Sequence, residues 1–204
     1  MRPWRMFAAL AGVALAAALS GGAQAAPPPG HDCISPSGEN LNQLYGIKER
    51  IVGPPSCRSV RVGKPFVLVT PSWTTAAGPD GAVYPPGYVP ELPAPIDDFN
   101  AKFTSATYTI DGGTDRERVV TVGPEVLRTM VDAAGLPFSG FPSPLLKPLR
   151  AGTHTFAVSI VLSAQHCDGL GTVVALNCLP AGESEWFPQT PFEAVEKYGT
   201  PGRP

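Results

Sequence analysis

The chain has 204 residues, 16% of them charged and 43% hydrophobic, and a formal net charge of -2. That length suits one domain with a packed core, and the near-neutral balance lacks the basic surplus expected of a nucleic-acid-binding protein. With 22 glycines and 25 prolines, the chain sits just short of low-complexity composition, so long irregular connections are expected.

The first 25 residues read as an address. Arg2 and Arg5 precede an uncharged run from Met6 to Leu19, and Ser20-Gly21-Gly22 then leads into Ala23-Gln24-Ala25. This is the three-part pattern of a secretory signal peptide, with cleavage expected between Ala25 and Ala26. The apolar run is shorter than the roughly 20 residues needed to span a bilayer. No cysteine stands at the cut and no twin arginine is present, which argues against a lipoprotein and for export of the unfolded chain. No later segment is long and apolar enough to span. The expectation is therefore a secreted, periplasmic or cell-envelope protein without a membrane span after cleavage.

Residues 26–36 form a Pro-rich lead, and residues 37–204 the single domain. Leu41, Leu44, Ile47 and Ile51 recur at helical spacing between Ser37 and Val52, with Gly46 weakening the helix and Pro54-Pro55 stopping it. Phe66 to Thr70 is a β-rich run between Pro65 and Pro71, which predicts an edge strand or one that ends abruptly. Gly78 to Pro95 holds so many prolines that it must be a surface loop or extended crossover. A strand is expected over Phe99 to Ile110, a turn at Asp111-Gly112-Gly113-Thr114 and a returning strand over Glu117 to Val122. Gly123-Pro124 opens an expected short helix over Glu125 to Ala134, closed by Gly135. Leu136 to Pro148 reads as loop.

After a turn at Arg150 to Thr153, His154, Phe156, Val158, Ile160 and Leu162 fall on one face of a long strand. Glu183 to Phe187 predicts another strand, and Phe192 to Tyr198 a terminal helical turn or strand. The pattern predicts a mainly β protein, an antiparallel β-sandwich with one or two short helices.

Cys33, Cys57, Cys167 and Cys178 all follow the expected cleavage point. An even count in an oxidising compartment reads as two disulfides. Chain proximity favours Cys33–Cys57 and Cys167–Cys178, the second across a hairpin. The close cysteine pairs of zinc sites are missing, so no metal is expected.

The stretch Leu149-Arg150-Ala151-Gly152-Thr153-His154-Thr155-Phe156-Ala157-Val158 resembles a late strand of immunoglobulin-like sandwiches in exported bacterial proteins. The resemblance implies an immunoglobulin-like fold, in which the His154 position ties a loop to the strand. Leu44-Tyr45-Gly46-Ile47, Cys57 and Trp73 likewise resemble exported bacterial proteins of no assigned function. A fold resemblance of this kind implies no activity.

Enzyme motifs are missing: no G-x-S-x-G, P-loop, G-x-G-x-x-G or H-E-x-x-H occurs. Asp111 to Asp115 lacks the ligand spacing of a calcium loop. His166 and Asp168 share a strand face and could pair, while Asp97-Asp98 reads as a solvated loop edge. No catalytic residue and no cofactor are assigned. Trp73, Tyr84, Tyr88, Trp186 and Phe187 fall in or beside proline-rich loops, where aromatics can stack on sugars or grip a protein; of these, Trp73, Tyr84, Tyr88 and Trp186 are the candidate ligand-binding residues. The leading expectation is a binding or structural component of the envelope or extracellular space, with a protein or glycan as partner. The alternative is a secreted hydrolase with an unrecognised site.

Overall fold

Alternation along two strands builds the centre of the molecule. The structure, a computed structural model, describes residues 32–196; the expected signal peptide, most of the Pro-rich lead and the end of the expected terminal element lie outside the described residues. In chain order the elements are α1 (Leu41–Tyr45), β1 (Arg50–Val52), β2 (Ser59–Arg61), β3 (Phe66–Leu68), β4 (Trp73–Thr74), α2 (Pro95–Lys102), β5 (Phe103–Ile110) and β6 (Arg118–Val122). They continue with β7 (Arg128–Val131), β8 (Pro137–Gly140), β9 (Gly152–Leu162), β10 (His166–Cys167), α3 (Val174–Asn177), β11 (Cys178–Leu179) and β12 (Gly182–Val195). The fold is mainly β.

The principal sheet runs β2-β12-β9-β5-β6. His154, Phe156, Val158, Ile160 and Leu162 of β9 all point inward, as the alternation requires. Antiparallel pairing sets Ile160 opposite Ala106, Val158 opposite Tyr108 and Phe156 opposite Ile110, so two apolar rows face the same core. Burying each large side chain contributes about 1.5–3 kcal/mol. The β5–β6 hairpin turns where expected, with Gly113 at φ 77°.

A second layer closes the core from the other side. β1 and β3 pair in parallel, and β4-β8-β7 form a three-stranded sheet. Phe66 and Leu68 join the main core with Phe141 and Leu146, and the Tyr108 hydroxyl donates to the Phe141 carbonyl. Val67 and Val69 point the opposite way, into a smaller cluster with Cys33, Leu41, Ile51 and Cys57. β3 is thus buried on both faces and bonded on both edges, since Phe66 also bridges Leu146; of the two expectations for this run, the abrupt end holds.

Several expectations need correction. The sheets are mixed rather than wholly antiparallel, because β2 pairs in parallel with β12. The helix expected over 37–52 is only α1, capped at its start by the Asn40 side chain and ended by Gly46 at φ 66°; the chain beyond it extends into β1. Phe99 to Lys102 are helical, not strand. Pro95 in the first turn, two acidic residues behind it and Lys102 in the last turn match the start and end preferences of a helix.

The helix expected over Glu125 to Ala134 is one 3-10 turn, Pro124–Val126, followed by β7. β7 pairs with β8, within the stretch read as loop. Gly135, at φ 81°, serves the turn between them, where the Asp132 carboxylate accepts the amides of Ala134 and Leu136. Glu183 to Phe187 and Phe192 onward form one strand, β12. Register shifts between Glu185 and Thr190 absorb Pro188, which cannot donate to a ladder.

Both disulfides join the expected partners, with Cα separations of 5.7 Å for Cys33–Cys57 and 4.0 Å for Cys167–Cys178. Two disulfides fit an oxidising, extracytoplasmic environment. Among the described residues no helix is long and apolar enough to cross a membrane.

Candidate functional site

Asp98 organises the end of the molecule where the proline-rich loop meets the Cys167–Cys178 loop. Its position in the first turn of α2 aims the carboxylate inward, and the side chain is fully buried; only its neighbour Asp97 stays at the solvated edge expected for both. Oδ1 accepts the backbone amides of Glu91 at 2.7 Å and Leu92 at 3.1 Å. Oδ2 accepts from His166 Nδ1 at 2.8 Å, Lys102 Nζ at 2.9 Å and the Tyr88 hydroxyl at 3.0 Å. One carboxylate therefore clasps the proline-rich loop, its own helix and β10.

The electrostatics follow from that crowding. Burial raises the carboxyl pKa, but the bonds from Lys102, His166 and the two amides outweigh it and hold Asp98 at about 2. Burial opposes the Lys102 ammonium, yet Asp98 and Tyr88 hold its pKa above the ordinary value. Burial dominates at His166 and lowers its pKa despite Asp98. The His166 ring packs edge-on to Phe99 and Trp73, at 5.4 Å and 6.0 Å between centroids. Its Nε2 is buried without a hydrogen-bond partner, so protonation would place a second N–H in an apolar setting.

The pH dependence has a definite sign. Both groups have depressed folded-state values, so each contributes stability above its unfolded pKa that is lost as pH falls. Urea unfolding should show a first loss as pH drops below about 6.5, from His166, and a second from about 4 toward 2, from Asp98. His166→Asn should flatten the first step and keep the second.

The expected pairing of His166 with Asp168 does not occur. Asp168, on the disulfide loop, instead accepts from the Leu170 amide and the Asn177 side chain. His154 lies in a separate site: Nδ1 meets Asp111 at 2.7 Å and Nε2 the Arg150 carbonyl at 2.9 Å. It ties the β5–β6 turn and the β9 approach together. Among the described residues no group of three or more histidine, cysteine or acidic side chains is placed to hold a metal ion.

The four candidate aromatics fall into two pairs. Trp73 and Trp186 meet edge to face at 5.9 Å. They are half-buried against the main core, with the Trp186 indole donating to the Pro71 carbonyl. Phe187 stacks on Phe156. Tyr84 and Tyr88 lie 5.3 Å apart within the proline-rich loop, and Tyr88 is held by Asp98.

The proline-rich loop that carries this second pair, and the disulfide loop bridged to it, also carry exposed aliphatic residues. Val83, Val89 and Leu92 on the proline-rich loop are exposed, as are Leu170, Val173, Val174 and Leu176 between the cysteines. Val89 is 80% exposed and Leu176 76%, so these are outward-facing side chains rather than core residues at the edge. The two loops are joined directly, since Val83 bridges Leu170 and its amide donates to the Gly169 carbonyl at 2.8 Å. Aliphatic residues between prolines, or inside a short disulfide loop too small to bury them, were the signal available in the sequence.

A separate open groove of about 680 Å³ lies beside α1, lined by Tyr45, Pro54, Arg58, Pro71, Phe138 and Phe187 among others. Polar groups on its walls are bonded to the protein: Tyr45 to Ser72, and Arg58 to the Gly53 and Pro191 carbonyls.

Compared with known proteins, the chain matches no family model, no curated protein and no solved structure.

Proposed function

We propose that this is an exported, disulfide-stapled binding domain that presents the two-loop aliphatic face to a protein partner in the cell envelope or extracellular space. The observation that carries the reading is the gathering of exposed aliphatic side chains on two loops that are bridged at Val83 and Leu170. Exposed apolar residues gathered on neighbouring loops mark interaction sites. A buried carboxylate, a disulfide and several prolines restrain these loops, which reduces the ordering cost on association. Aliphatic groups suit a protein surface better than a sugar, which stacks on flat aromatic faces. The immunoglobulin-like sandwich is the finer fold reading, supported by the five-stranded sheet facing a second layer across one core. Export rests on the signal-peptide pattern ending at Ala25, with which the two disulfides agree.

The test is affinity capture from envelope and medium fractions with the oxidised protein and a Val89→Ser/Leu176→Ser variant. Both side chains are exposed, so stability should change by less than about 0.5 kcal/mol per site. Capture should be strongly reduced. Equal capture by both proteins would place the binding surface elsewhere.

A further inference from the structure

The aliphatic face has a charge pattern that narrows its partner. From Pro65 to Ala101 and from Ala151 to Glu196 the chain contains no lysine or arginine. The face draws its residues from these two stretches. Asp80, Glu91 and Asp97 are exposed on the proline-rich loop and at the start of α2. Lys102 brings a cation to this corner, and its side chain is 4% exposed. Its ammonium is engaged by Asp98, by the Gln165 carbonyl at 3.0 Å and by Tyr88. It also lies 3.6 Å from Glu91, whose own side chain is 68% exposed. Among the described residues Asp80 and Asp97 have no ion pair with a cation. Aliphatic surface beside exposed carboxylates repels anionic lipid headgroups. It also repels a second copy presenting the same edge, because a two-fold contact would oppose like charges.

Resting on the binding role proposed above, we infer that the partner presents a cationic amphipathic polypeptide segment. Its apolar side chains seat against Val83, Val89, Leu170 and Leu176, and its lysines or arginines reach Asp80, Glu91 and Asp97. The aliphatic contacts supply most of the affinity, and the carboxylates select the sign of the flanking charge and speed encounter.

The experiment measures fluorescence anisotropy of labelled synthetic peptides titrated with the oxidised protein. The probes are an amphipathic Leu/Lys peptide, its Leu/Glu counterpart and a Ser/Lys peptide without apolar residues. The Leu/Lys peptide should bind at least about tenfold more tightly than either control, and weaken as salt rises from about 50 to 300 mM. Asp80→Asn/Asp97→Asn should lose about tenfold at low salt and much of the salt dependence, with an unchanged thermal unfolding midpoint. Val89→Ser/Leu176→Ser should weaken the same peptide at both salt concentrations.

Equal binding of the Leu/Lys and Leu/Glu peptides, with loss in the serine variant, would overturn the charge selection and leave the binding face standing. Leu/Lys binding that ignores the serine variant would remove the face itself from the account. Self-association in sedimentation, or binding to phosphatidylserine vesicles, would overturn the cationic partner if lost in the serine variant. Failure of the Leu/Lys peptide to bind would overturn it as well.

Discussion

Replacing Asp98 with alanine should destabilise the domain by about 3–5 kcal/mol, the range for removing one partner from a buried charge pair. Five donors converge on this carboxylate. Without it the Lys102 ammonium, 4% exposed, keeps the Gln165 carbonyl, a long contact to Tyr88 and, at 3.6 Å, the largely exposed Glu91 carboxylate. The Glu91 and Leu92 amides and the His166 Nδ1 proton lose their acceptor. Each unsatisfied buried donor adds about 1–3 kcal/mol, although these contributions are not additive. Asp98→Asn keeps the shape and should cost less. Urea unfolding at neutral pH checks both; a loss below about 1 kcal/mol for alanine would mean that Lys102 reaches water.

Removing the Cys33–Cys57 disulfide by a double alanine substitution should cost about 3–4 kcal/mol. The cysteines are 24 residues apart, and chain entropy gives roughly that value for a loop of this length. The local core there is small: Leu41, Ile51, Val67 and Val69 around the bridge itself. A small cluster tied mainly by its crosslink depends on it more than a large core would. The shorter Cys167–Cys178 loop, whose cysteines are 11 residues apart, should cost about 3 kcal/mol by the same model. Thermal unfolding of the two double variants in parallel measures the difference. An equal or inverted order would show that strain or residual structure, rather than loop length, governs their contributions.

What could be read from the residues alone was whatever depends on local repetition. The alternation from His154 to Leu162 identified β9 and its buried face because strand periodicity is visible in one segment. The Asp-Gly-Gly turn identified the β5–β6 hairpin, and two pairs of cysteines near each other in the chain implied the bridges. Elements set by long-range pairing were hidden. β7 begins after Gly-Pro and looks like a helix start until β8 is alongside, and β12 looks like two pieces because prolines interrupt it.

The site was hidden for a related reason. Asp98 resembles a surface acid beside Asp97, and only the helix that follows Pro95 turns one of the two inward. Its partners, Tyr88, Lys102 and His166, are spread over almost eighty residues of chain, and no local motif links them. Tyr84 and Tyr88 could be picked out because aromatics stand out among prolines. Val89 and Leu176 could not, because an aliphatic residue reads as core until its exposure is known.

Through its bonds to Tyr88, Glu91, Leu92 and His166, Asp98 should hold the proline-rich loop and the start of the disulfide loop as one preformed surface. Amide hydrogen exchange on the oxidised protein and on Asp98→Asn tests it most directly. Exchange in the variant should be faster at Glu91 and Leu92, which donate to the carboxylate, and at Val83, which donates to Gly169 across the two loops. Amides of β9 and β5 should slow or quicken only with the change in global stability. Unchanged protection at Val83, Glu91 and Leu92, or an equal loss across every strand, would contradict it.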